Sequence, residues 1–195
     1  MNQIQAEQLF EEFHTPAHVQ AHGRQVGKLA KKLAEELRKS EKAREAGIEV
    51  DPELAYMGGL VHDFVRVVDF KALDPNLGTP EDQTFWKNLR EQYKGAHHAD
   101  VGAAILEKRG EPVLARIVKC HKFSALGTSE GPQTWEEKLV YYADKRVKHD
   151  QIVTLEERLD EGWERHFGDQ KRTPEEETTR KAVFALESEI FSHLK

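Results

Sequence analysis

The stretch GGLVHDFVRV, residues 58–67, restricts the fold of this chain more than any other. Leu60, Val61, Phe64, Val67 and Val68 recur at helical spacing, which marks a face meant for the interior. His62 and Asp63 interrupt that face. An ionised carboxylate taken out of water is expensive unless it is paired or holds a metal. A chain that builds such a segment must bring partners to Asp63 from elsewhere.

Most of the remaining sequence reads as helix. Thr15-Pro16, Asp51-Pro52, Thr79-Pro80 and Thr173-Pro174 each offer a capping side chain followed by a proline at the first helical position. Thr173 with Glu176 adds a capping box. After Thr15 a long stripe of Val26, Leu29, Ala30, Leu33, Ala34 and Leu37 stands opposite Lys and Glu. Similar patterns predict helices over about 52–69, 80–93, 98–109, 111–123, 135–149, 152–166 and 174–194. No clear period-2 strand is visible, and no linker or composition shift marks a boundary. The expectation is an all-α helical bundle of about eight helices, one domain over 1–195, with a C-terminal helix in 170–195 packed on it.

Composition narrows the function classes. A net charge of −6 gives no basic footprint, so dedicated nucleic-acid binding is not expected. No run approaches the roughly 18 apolar residues of a membrane span, and the N-terminal stretch lacks the apolar core of a secretory signal. Cys120 is the lone cysteine, so no intramolecular disulfide forms, which fits a reducing cytoplasm.

The histidines gather where apolar helices would be. His22 lies four residues before Val26 on the buried stripe, and His18 four residues earlier. His97 and His98 open the helix in GAHHADVGAAIL. His121 ends VLARIVKCHKF, and Asp144 lies inside KLVYYADKRV. Any one of these would read as a hydrogen-bonded core residue. Together, neutral imidazoles and carboxylates suit Mn, Fe, Ni, Co or Zn, with Mg as a further option, and such an ion would offset the burial of Asp63 and Asp144. One or two divalent ions are therefore expected as cofactor.

The order His22, His62-Asp63, Asp144 resembles the H…HD…D signature of the HD-domain superfamily of metal-dependent phosphohydrolases. The contexts PAHVQAHGRQVGKLAKKLA, AYMGGLVHDFVR and EKLVYYADKRV carry the resemblance, which covers about residues 15–165. HADVGAAIL, from His98, and His121 resemble the positions that supply further histidines in two-metal members. The resemblance implies an all-helical bundle with the site between helices. His22, His62, Asp63 and Asp144 would hold a first ion, and Asp63 would bridge to a second held by His98 and His121. It favours His98 over His97 by register. CHKFSALG replaces the His-His-Glu and GYP pattern, so cyclic-di-GMP hydrolysis is not implied.

The expected activity is hydrolysis of a phosphoester or phosphoanhydride in a small phosphorylated substrate, such as a nucleotide, by metal-activated water. Asp63, Lys145 and Arg66 would act in catalysis, with His18, Arg66 and Lys145 touching substrate. Arg66 is placed one helical turn beyond His62, and Lys145 directly after Asp144. The competing readings are a di-iron oxygenase acting on a small polyol or phosphonate, and a nucleotide-sensing module without turnover. His14, His149, His166 and His193 read as solvated or structural, Trp86, Trp135 and Trp163 as packing, and Cys120 as an inert buried thiol.

Overall fold

The computed structural model describes residues 1–194. Ten α-helices are present among them: α1 Gln3–Glu12, α2 Ala17–Lys39, α3 Glu41–Glu45, α4 Pro52–Val61, α5 Pro80–Gln92, α6 His98–Lys108, α7 Pro112–Cys120, α8 Trp135–Asp144, α9 Leu155–Phe167 and α10 Pro174–Ser192. The all-α expectation holds. Asp51, Thr79 and Thr173 cap α4, α5 and α10 in front of their prolines. Thr15 does not cap α2. Its hydroxyl donates instead to the Phe64 carbonyl at 2.6 Å, tying the start of α2 to the chain just after Asp63.

Three expected helix ends move, each at the site, and the helix read from 152 begins at Leu155, after a short strand at Gln151–Ile152. The pattern read as 52–69 is not one helix: α4 stops at Val61, and the chain resumes as a short 3-10 turn, Arg66–Asp69. His62 and Asp63 therefore follow a helix end rather than lying inside a helix. The pattern read as 135–149 stops at Asp144, where the chain enters a small antiparallel hairpin, β1 Val147–Lys148 with β2 Gln151–Ile152. The pattern read as 111–123 stops at Cys120. In all three the apolar residues continue past the end, so periodicity alone carries the helix too far. Neither α1 nor the short α3 belongs to the sequence expectation, although Asn2 and Gln5 form a capping box at the start of α1.

The core centres on α2, α4 and α8, with Val26, Ala30, Leu60, Val61, Leu139 and Val140 fully buried. Glycines set how closely α2 and α4 approach. A Cβ on Gly59 would stand 2.7 Å from the Cα of Gly27, and one on Gly23 would stand 2.5 Å from the Leu60 carbonyl oxygen. Such contact brings His22 on α2 beside His62 at the end of α4.

Candidate metal centre

Three helices end at one place. His62 is the C-cap of α4, His121 the C-cap of α7, and Asp144 the last residue of α8. Each C-terminus carries a partial negative charge of about half an electron, so their convergence favours a cation. Both cap histidines use the same local device. The His62 Nδ1–H donates to the Gly59 carbonyl at 2.7 Å, and the His121 Nδ1–H to the Val118 carbonyl at 2.5 Å, in each case three residues back. The His22 Nδ1–H donates to the His149 carbonyl at 2.9 Å, a carbonyl presented by the hairpin turn where His149 adopts φ +57°. With Nδ1 carrying the proton, Nε2 is left as a lone pair directed inward, the form that binds a metal.

Those lone pairs meet carboxylates. His22 Nε2 lies 3.1 Å and His62 Nε2 3.6 Å from Asp144 Oδ1. His62 Nε2 lies 3.6 Å from Asp63 Oδ2. On the other side of Asp63, its Oδ1 is 2.8 Å from His98 Nε2 and 3.4 Å from His121 Nε2. His98 and His121 bring their Nε2 atoms within 3.0 Å of each other. Acceptors crowd acceptors here, and His62 Nε2 and Asp63 Oδ1 are buried without a hydrogen bond. Buried polar atoms are rarely left so. A divalent ion in each group, His22–His62–Asp63 and Asp63–His98–His121, would satisfy them, because one ligand atom from each residue lies within 4.8 Å of the others. The donor set and the orphaned atoms fit a metal.

A comparison with protein families matches residues 19–147 to the HD domain. The chain belongs to the HD-domain family. Members of this family are generally metal-dependent hydrolases. Comparisons with curated proteins and with solved structures return no match.

In this HD domain the charges explain one another. Burial alone would raise the Asp63 carboxyl pKa, but without an ion Asp63 in turn favours protonated His62 and His98. Their charge, with hydrogen bonds from His121 and His98, holds it well below the usual range; a bound cation would take over that charge and leave the imidazoles neutral. Burial likewise opposes ionisation of Asp144, and Lys145, His22 and His62 overcome it. Burial pushes His121 down to about 4, so it is neutral at pH 7 as a ligand must be. Lys145 is only 8% exposed, and its Nζ donates to the His121 carbonyl at 3.0 Å and to Asp144 Oδ2. It is turned into the protein rather than toward solvent. Arg66 is not a helical turn beyond His62, because α4 has ended. It starts the 3-10 turn, with Nε 3.7 Å from Asp63 Oδ2 and its Nη1 bonded to Asp69.

The geometry also separates the adjacent histidines. The His97 side chain accepts from the Ala99 N–H at 3.1 Å and caps α6, whereas His98 points its Nε2 at Asp63. His18 stacks on Phe70 at 6.1 Å between ring centres. It is exposed on α2 one helical turn before His22, at the rim of the same site, where burial of its inner side, then His149 and His22, lower its pKa.

Two contributors escape sequence reasoning. Asp69 accepts from His98, and its only advance signal is a carboxylate among the valines of VRVVDF. The His149 carbonyl is a backbone group that no side-chain motif can announce. Arg165, in the last turn of α9, reads from sequence as a solvated surface charge, and the structure agrees: its side chain is exposed and pairs with Glu161 one turn earlier at 3.3 Å. Lys71 Nζ donates to the Arg165 and His166 backbone carbonyls at 3.2 Å each, holding that helix end against the chain following Asp69. Cys120 donates to the Ile117 carbonyl, and burial pushes its pKa up to about 12, which leaves it an inert thiol.

Among the described residues, no helix is long and apolar enough to cross a membrane.

Proposed function

We propose that this HD domain is a metal-dependent phosphohydrolase that cleaves a phosphoester or phosphoanhydride of a small substrate such as a nucleotide. One observation carries the reading: Asp63 directs its two oxygens into two separate histidine groups, the arrangement needed to share one carboxylate between two ions. Ions held there would lower the pKa of water enough to make it a nucleophile near neutral pH and would offset charge that builds on phosphoryl oxygens. His22, His62, Asp63 and Asp144 serve as ligands on one side, and Asp63, His98 and His121 on the other.

The remaining residues divide the work by position. Arg66 stands at the rim with about a quarter of its side chain exposed and is the cation placed to meet a phosphoryl oxygen. His18, beside Phe70, contacts the part of the substrate that projects from the site. Lys145 balances the charge of Asp144 and holds the end of α7 through the His121 carbonyl, so its contribution to phosphate binding is electrostatic across the ligand shell.

The six-ligand, histidine-rich set also suits a di-iron oxygenase acting on a small polyol or phosphonate. The test separates the two. Protein reloaded with Mn or Co and assayed without oxygen against a phosphoester panel is expected to release phosphate. Iron-dependent oxygen consumption with no anaerobic phosphate release would overturn the hydrolase reading. So would full activity in metal-free Asp63→Ala protein.

A further inference from the structure

Four imidazoles reach the site with Nε2 inward, and each Nδ1 has an acceptor. For His22, His62 and His121 that acceptor is a backbone carbonyl. For His98 it is a side chain, the carboxylate of Asp69. We propose that Asp69 is a positioning residue: it holds the His98 ring with Nδ1–H outward and Nε2 toward Asp63, so that an ion in the Asp63–His98–His121 group depends on a carboxylate outside it. The inference rests on the reading that this group holds an ion.

The bonding fixes both the place and the rotation of the ring. Asp69 Oδ2 accepts from the His98 backbone N–H at 3.0 Å and from its Nδ1 at 2.7 Å. One oxygen thus anchors the first residue of α6 and orients its imidazole. Arg66 Nη1 also lies 3.0 Å from His98 Nδ1, which raises the alternative that Nδ1 accepts from Arg66. The carboxylate decides between them. An ionised oxygen can only accept, so at 2.7 Å the proton sits on Nδ1, and Arg66 gives its hydrogen to Asp69 Oδ1. Asp69 therefore aligns a ligand and a rim cation together. A carboxylate behind a ligating imidazole also makes that imidazole a stronger donor to the metal.

The neighbouring His97 supplies the control. Its side chain satisfies the Ala99 N–H at the start of α6, and its ring packs on His98 at 4.2 Å between centres. It shares the helix-capping part of what Asp69 does and lacks the bond to Nδ1.

The experiment strips the full chain with chelator and titrates it with Mn(II) or Co(II), following the stoichiometry and the separate affinities. The unmodified protein is expected to take up a weaker ion beside a tighter one. Asp69→Ala and the near-isosteric Asp69→Asn should weaken one ion by about 10- to 100-fold and change the other by less than about threefold. In Asp69→Asn, an amide N–H turned to Nδ1 forces the proton to Nε2 and blocks the lone pair, while an amide oxygen turned there faces Arg66 with a donor. His97→Ala should keep both ions. Unchanged affinities in both Asp69 variants would overturn the inference. Equal losses in Asp69→Asn and His97→Ala would also overturn it, by reducing Asp69 to a helix cap. An unmodified protein that binds no second ion would overturn the underlying reading, a result visible before any variant is made.

Discussion

The two sides of Asp63 are built from the same residue types but stabilised differently. On the side of His22, His62 and Asp144, every imidazole is anchored by backbone, and the carboxylate is matched by the buried Lys145. On the side of His98 and His121, one imidazole is anchored by the Asp69 side chain, and the cation in reach is Arg66 at the rim. The first side is part of the α2–α4–α8 core. The second joins that core to α6 and α7. The backbone anchors of His62 and His121 cannot be lost while α4 and α7 stand, nor that of His22 while the β1–β2 hairpin keeps its turn, whereas a side-chain anchor sets ligand geometry through one replaceable group. The first side should therefore hold its ion through substitutions that empty the second.

The largest test of this contrast removes what the sides share. Asp63→Ala should lower turnover by about a thousandfold or more, since it withdraws charge stabilisation worth several kcal/mol in the transition state. Steady-state phosphate release would show it. Removing one side at a time comes next. His22→Ala and His121→Ala should each cost one ion and leave the other, read by metal analysis after gel filtration. Loss of both ions from either variant would mean that the site is one cooperative unit and the contrast is wrong.

The two cations differ in the metal-free protein. Lys145→Met leaves the buried Asp144 carboxylate without its partner, and unfolding by urea should show a loss of about 3–5 kcal/mol, partly recovered on adding metal. Arg66→Ala, at a partly exposed pair, should cost about 0–1 kcal/mol. Equal losses would erase the distinction between a buried and a rim cation. The smallest expected effect is at Cys120. Its thiol is buried and its pKa is pushed up to about 12, so it should resist alkylation at pH 8 until the protein unfolds. Rapid labelling of folded protein, followed by mass spectrometry, would show that the end of α7 opens.

Much of this organisation is legible in the sequence, for a physical reason. His22, His62, Asp63, His98, His121 and Asp144 stand out because ionisable groups on apolar helical stripes are costly, and the structure brings all six together. Helix starts are legible because Asp51, Thr79 and Thr173 must cap in front of proline. Helix ends at the site are not. Val65, Val67 and Val68 stay buried after α4 stops, so the apolar pattern runs on while the backbone turns at His62. Contacts set by that turn, such as Asp69 with His98 and Thr15 with Phe64, are equally hidden. Gly23, Gly27 and Gly59 carry the close approach of α2 and α4, but a glycine in a helix announces a gap without saying what fills it.

The central claim is that Asp63 is shared between two ions. Metal content of the reloaded, gel-filtered protein tests it most directly, with Asp63→Ala and unmodified protein measured side by side. The account predicts two equivalents per chain in the unmodified protein and a loss of both in the variant. Two equivalents retained without the Asp63 carboxylate, or none bound with it present, would contradict it.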